Sequence, residues 1–334
     1  MSSGLLTRRG PGYKLFWRSA FIASVVVVIG LFYYASISVD YVWRWYNVPK
    51  YFIAETDIEV RAEVPGEIES ITTKGEQTSI TIEGPDGEET YTMPATGEVM
   101  ASEGDFMYMG DVVGTYHETK PGLLLIGLWM TLKVSFIGII FGVLLGLITG
   151  ICRISDNPFL KSWSITYIEL VRGTPLLVQI FIWYFLFGTL INDILNTQGL
   201  PQLPPLWFGV ASLAFFSGAY VGEIVRAGIQ SIHRGQIEAA RSLGMNSFES
   251  MRHVILPQAL RRILPPLAGQ FISLVKDSSL LGIIAIRELT KATREIVTTS
   301  LQPFEMWIVC ALLYLILTAA LSLFTQYLER RMVQ

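Results

Sequence analysis

The chain has 334 residues, 51% of them hydrophobic and only 16% charged, and its mean hydropathy is +0.46. That balance excludes an ordinary water-soluble globule and places the chain among membrane proteins. The net charge of −3 conceals a division, because residues 51–118 hold 16 of the 28 Asp/Glu but two of the 25 Lys/Arg. An acidic segment is set into a basic membrane body, and no run of like charge is dense enough for nucleic-acid binding. Cys152 and Cys310 lie far apart, beside or within apolar runs, and read as free thiols. The three histidines, His117, His233 and His253, are scattered, so no metal site is expected.

In chain order, the first uncharged apolar stretch runs from Ser19 to Val39, long enough to cross a bilayer core of roughly 30 Å. Arg8, Arg9, Lys14 and Arg18 precede it, and this basic segment (1–18) predicts a cytoplasmic N-terminus. We read 19–39 as an extra, uncleaved N-terminal anchor, although Ser36-Ile37-Ser38 also fits the small-x-small cleavage site of a signal peptide. Either reading leaves residues 40–120 extracytoplasmic. There, period-two alternation in Asp57–Val64 and Ser79–Glu83, with turns at Pro65-Gly66, Gly84-Pro85-Asp86-Gly87 and Gly104-Asp105, predicts a small β-domain over 51–118. The run Glu103–Val113 resembles the Gly-Asp hairpin of biotinyl/lipoyl-type barrel-sandwich folds, but no lysine stands at its tip, and no swinging-arm cofactor is expected.

Further spans are predicted at about 123–152, 173–192, 206–222, 263–286 and 306–327. Whether Phe159–Arg172 joins the third span or lies along the interface is left open. The loop after the fourth span carries Arg226, Arg234, Arg241, Arg252, Arg261 and Arg262, and Arg330-Arg331 closes the chain, so both termini are expected in the cytoplasm. The amphipathic stretch 287–303 carries Arg287, Lys291 and Arg294 outside, with Glu288 and Glu295 as counter-charges. Trp43, Trp45 and Trp129 suit interface anchors. The fold class expected is an all-α polytopic membrane protein of about six helices with a small all-β extracytoplasmic insert.

The basic loop reads Gly235-Gln-Ile-Glu238-Ala239-Ala240-Arg-Ser-Leu-Gly244, then nine residues, then Val254-Ile255-Leu256-Pro257. Good helix formers precede Gly244, which can stop a helix in a left-handed conformation. A second helix is expected from Ser247, broken by Pro257 before the next span. The pattern resembles the EAA loop of ABC importer permeases, with Val254 where Ile is usual. Tyr167–Gln179, Ala219–Gly228 and Val275–Leu281 are similar to segments of the polar amino-acid branch of that family. The resemblance covers about residues 120–330 and implies a five-helix, type I-like permease core (120–331) with the coupling loop at 235–257; residues 1–118 lie outside it. It implies that Glu238, Ala239, Ala240, Gly244, Val254, Leu256 and Pro257 receive the motion of two partner ATPases. It further implies an external solute-binding protein, a second permease chain (itself or a sister) and a bacterial inner-membrane location.

Without the family, the ionisable groups set within apolar stretches are candidates for the pathway or a gate. Glu169 with Arg172, and Glu223 with Arg226, are three apart and can pair on one helix face. Lys276 follows Ile263 by about 20 Å of helix rise, which sets it and Asp277 inside the bilayer. Gln179 is a further candidate. Such groups could supply donors and acceptors to a zwitterionic amino acid, or hold helices together. The chain has no Gly-x-x-x-x-Gly-Lys phosphate loop, so it is not expected to be an enzyme; ATP and Mg would be bound by the partner ATPases, with no cofactor in this chain. The rival readings are a permease for another small polar solute, an ion-driven secondary transporter, which calls for inverted repeats, and a membrane-anchored adaptor acting through its β-insert.

Overall fold

The computed structural model describes residues 11–85 and 87–333; Arg8, Arg9 and the turn residue Asp86 lie outside the described residues. The chain divides into two units at Tyr46/Asn47. In the first, α1 (Pro11–Ser38) carries Lys14 and Arg18 in its first turns and is uncharged and predominantly apolar from Ser19 onward, as a lipid-embedded helix should be. It ends where Asp40 takes a positive φ of 54° and Tyr41 N–H bonds back to the Ser36 carbonyl at 3.1 Å. The Trp43 indole donates to Ser36 Oγ at 3.0 Å and stacks on Trp45 with ring centroids 5.6 Å apart.

The second unit opens with seven strands: β1 (Ile53–Arg61), β2 (Gly66–Lys74), β3 (Gln77–Gly84), β4 (Gly87–Pro94), β5 (Glu98–Val99), β6 (Phe106–Met107) and β7 (Val112–Pro121). They form two antiparallel sheets, β1-β7-β5 and β4-β3-β2-β6. Alternating residues from both close a small core of Ala62, Ile68, Ile80, Ile82, Met93, Met107 and Val113. Asp105 makes the expected turn and Asp111 a second one like it, each accepting the backbone N–H three residues earlier at 2.8 Å. The β-module stands on a ribbon, β1 paired with β7 from Ile53↔Pro121 inward. At its foot Gly122 N–H donates to the Phe52 carbonyl at 2.7 Å. A Cβ on Gly122 would overlap the Tyr51 carbonyl.

The membrane body comprises α2 (Leu123–Ile154), α3 (Pro158–Gly173), α4 (Leu176–Thr197), α5 (Pro205–Gln230), α6 (Arg234–Ser242), α7 (Ser247–Ile284), α8 (Leu289–Ser300) and α9 (Pro303–Val333). Among the described residues six helices, α1, α2, α4, α5, α7 and α9, are long and apolar enough to span. Phe159–Arg172 is a separate helix: Asn157 Oδ1 caps its start at 2.9 Å, and Pro175 forces extended backbone at Thr174 after its end. Its inner face is fixed by Ser164 Oγ donating to the Thr149 carbonyl and Tyr167 Oη to the Phe215 carbonyl, both at 2.6 Å.

The tightest seam joins α2 and α5. Gly138, Gly142, Gly146 and Gly150 recur every fourth residue on α2, so one face of the helix is bare backbone. A Cβ at Gly150 would lie 2.8 Å from Val225 Cβ, and one at Gly142 would overlap Ser217. Around this seam the core gathers Val134, Ile180, Leu213, Leu274 and Leu281.

Candidate functional site

The loop after α5 folds as a knob. His233 Nδ1 accepts Gly235 N–H at 3.1 Å to start α6, and Gly244, at φ +83°, stops it while Met245 N–H closes on the Ala240 carbonyl at 3.1 Å. Asn246 and Glu249 then form a reciprocal capping box, each bond 2.9 Å, that starts α7. The helix starts at Ser247, as expected, with Asn246 as its cap. The knob is fastened by Ile232, Ala240 and Ile255, which are buried, the first and last packing with Val221, Val225, Ala259 and Ile263. Glu238, Ala239, Leu256 and Pro257 are exposed and Val254 is half-buried.

Pro257 does not break the helix, contrary to the sequence expectation. Residues Met251–Ile255 form a π-type turn in which Leu256 N–H reaches the Met251 carbonyl, five residues back. The widened turn brings Pro257 into the first turn of the following α-helical segment, where its missing N–H and ring cost little. The knob is thereby continuous with the spanning part of α7. Two further residues carry weight here that the motif did not single out. Leu243 and Phe248 are 79% and 71% exposed, and they sit on either side of the Gly244 turn, flanked by Arg241 and Arg252. Large apolar side chains held out by a rigid polar turn have the composition of an interface anchor. Their signal was available as large apolar residues on either side of the helix-stopping Gly244, among other apolar residues of the loop.

The charged groups are wired differently from their spacing. Glu223 and Arg226 do pair, Nε lying 3.1 and 3.0 Å from the two carboxylate oxygens. Glu169 instead turns to Arg153 at 3.7 Å, and Arg153 also reaches Glu223 at 3.6 Å. Arg153, read from sequence only as a topology marker, is the hub tying α2, α3 and α5. Arg172 rests over the Tyr220 ring at 5.4 Å. Gln179 laces the α3–α4 break, its Nε2 donating to the Val171 carbonyl at 2.8 Å and to Thr174 Oγ1 at 2.9 Å.

Lys276 and Asp277 close the α-helical part of α7. The contact of Leu274 with Gly138, the middle residue of α2, puts them level with the centre of that helix. Lys276 lines a cavity of about 280 Å³ with Ser279, Thr290, Trp307 and Tyr314. Glu288 lies next to this cavity and is fully buried, so it is not the surface counter-charge expected. It caps α8, accepting Thr290 and Lys291 N–H at 2.7 Å and Tyr314 Oη at 3.1 Å. Burial pushes its carboxyl above the usual range, against the pull of these hydrogen bonds. Arg287 is answered by Glu295 at 2.8 Å.

Residues 142–334, more than half of the chain, match the family of binding-protein-dependent transport system inner membrane components. The chain belongs to that family. It is the permease subunit of an importer. The permease is 39% identical over 210 residues to the glutamine transport system permease protein GlnP of Escherichia coli K12, covering 63% of this chain and 93% of that protein. It is 37% identical over 206 residues to the probable glutamine ABC transporter permease protein GlnM of Bacillus subtilis 168, covering 62% and 91%. Among solved structures, an amino acid ABC transporter with histidines matches with TM-score 0.55 and 40% identity, covering 63% of the permease and 94% of that chain. The inward-facing MetNI methionine transporter matches with TM-score 0.54 at 21% identity over 64% and 97%, a likeness of fold alone.

Proposed function

We propose that this permease carries polar amino acids, L-glutamine foremost, into the bacterial cytoplasm across the inner membrane, driven by two ATPases that bind ATP and Mg and do the hydrolysis. Both termini and the α6–α7 knob face the cytoplasm, the β-module faces outward, and a solute-binding protein delivers the solute there. A second permease chain, identical or a sister, completes the pathway. The names of the similar permeases support the solute class. The knob carries the mechanism: Glu238, Ala239, Ala240 and Gly244 build a stiff turn that offers Leu243 and Phe248 to a groove on the ATPase, and Val254, Leu256 and Pro257 pass the movement into α7. Because the π turn keeps knob and span continuous, a push at the tip tilts the segment that bears Lys276 and Asp277. Those two groups are proposed to face the solute, while Glu169, Arg172, Glu223, Arg226 and Gln179 hold the ends of α3 to α5 as a gate.

The test is co-purification of the tagged permease from native membranes, followed by uptake in proteoliposomes. The wild-type chain is expected to bring an ATPase and to import L-glutamine with ATP inside and binding protein outside. Leu243→Asp with Phe248→Asp should cut ATPase recovery roughly tenfold or more and stop uptake, as burying a carboxylate in an apolar groove costs several kcal/mol. Undiminished uptake by this variant would overturn the reading.

A further inference from the structure

A cavity of about 480 Å³ opens between the end of α3, the last three turns of α5 and α7, next to the base of the knob. Arg172, Tyr220, Glu223, Ser231 and Arg262 are its polar walls, with Ala227 and Pro266 as apolar ones. The surrounding network holds four cations, Arg153, Arg172, Arg226 and Arg262, against two carboxylates, Glu169 and Glu223. Both carboxylates are engaged by Arg153 or Arg226. The two cations in excess are the two that line the cavity. Among the described residues neither Arg172 nor Arg262 makes an ion pair: Arg172 lies on the Tyr220 ring, and Arg262 Nη1 is held by the Ser231 carbonyl at 2.5 Å and Ser231 Oγ at 3.0 Å. Neutral partners orient a guanidinium without cancelling its charge. Two such groups, both exposed, facing one open cleft with a largely apolar wall favour an anion between them.

We propose that this cavity binds the α-carboxylate of the transported amino acid, held by Arg172 and Arg262, with the ammonium toward Glu223 and Ser231 Oγ and the side chain against Ala227 and Pro266. The volume lies within the range of small-molecule sites. The inference rests on the amino-acid importer reading above, on which this end of α5 is cytoplasmic and the cavity is the last stop before release. A phosphate head group offers the same anionic chemistry, so the test separates the two.

The experiment measures equilibrium binding of radiolabelled L-glutamine to the purified permease–ATPase complex in phosphatidylcholine nanodiscs, without binding protein. Saturable binding is expected, and 4-aminobutanamide, which lacks the carboxylate, should fail to compete at equal concentration. Arg172→Gln and Arg262→Gln should each weaken binding roughly tenfold or more, the loss typical of a charge-assisted pair. Arg172→Lys should lose less, and Ala227→Phe should block the site by filling it. Should Arg262→Gln fail to assemble, Ala227→Phe and the two Arg172 variants still decide the matter. Equal competition by 4-aminobutanamide, or wild-type binding in these variants, overturns the proposal. So does absence of L-glutamine binding combined with arginine variants that change only the retention of co-purified phosphatidylglycerol, which would assign the cavity to lipid. Uptake by the wild-type complex in proteoliposomes is scored separately: a complex that imports no amino acid strikes the importer reading, whereas import with unaltered binding in the variants strikes this inference alone.

Discussion

Glu288 shows how little a charged residue's spacing says about its use. It sits among basic residues that suggest a solvated counter-ion, yet it is fully buried and bonded to two backbone N–H groups and Tyr314. Its carboxyl is held above the ordinary value by burial, so the native permease binds that proton more tightly than the unfolded chain does. The sign follows: this group's contribution to stability is greatest below the unfolded pKa of about 4.3 and declines as pH rises toward the folded value. Thermal unfolding of the detergent-solubilised permease between pH 4.5 and 7 should show that decline, and Glu288→Gln should flatten it. Glu288→Ala removes the α8 cap and leaves a void, and should cost about 2–4 kcal/mol at any pH, read as a lower Tm. Arg153 is the complementary case. Its partner Glu169 is 16 residues away, beyond any local pairing rule.

Among the elements, α2 against α5 and the α6–α7 knob make opposite demands on glycine. On α2 the requirement is proximity: Gly146→Leu would drive a side chain into Val221, and overpacking of this kind costs about 1–3 kcal/mol, seen as reduced yield of folded permease. At Gly244 the requirement is conformation, since no neighbour lies within 4 Å and φ is +83°. A β-branched Gly244→Ile should therefore leave the membrane body folded while distorting the turn, at about 1–2 kcal/mol, and lower ATPase recovery and uptake. Pro257→Ala tests the π turn. If the widened turn already accommodates the ring, the replacement changes helical circular dichroism little and stability by less than about 1 kcal/mol, whereas a true helix stop would gain helix on losing its proline.

For the whole molecule the β-module stands apart, because the family match begins at residue 142, beyond it, and 63% of this chain suffices to cover 93% of GlnP of E. coli. The module enters and leaves through neighbouring strands, Ile53 opposite Pro121. Residues 53–121 can therefore be replaced by an Asn-Gly turn joining Phe52 to Gly122 with little strain on the body. The expected result is a folded permease that still imports L-glutamine at saturating binding protein. Loss of uptake from an intact complex would instead make the module part of the transport machinery, as the adaptor reading requires.

The amino-acid sequence by itself determined the spans, the β-module and the motif of the coupling loop. Each is a local matter: a bilayer demands about twenty apolar residues wherever the chain crosses it, strands alternate with period two, and Gly244 ends a helix by its own conformational freedom. Tertiary structure alone decided the partners. Glu169 meets Arg153 of α2 rather than Arg172, whose guanidinium lies over the Tyr220 ring of α5 instead. Pro257 was absorbed because a π turn precedes it, and Glu288 was buried because α8 folds its first turn toward α9. These outcomes depend on which helix faces which, and that is an energy shared by residues far apart in sequence, which no short window of sequence contains.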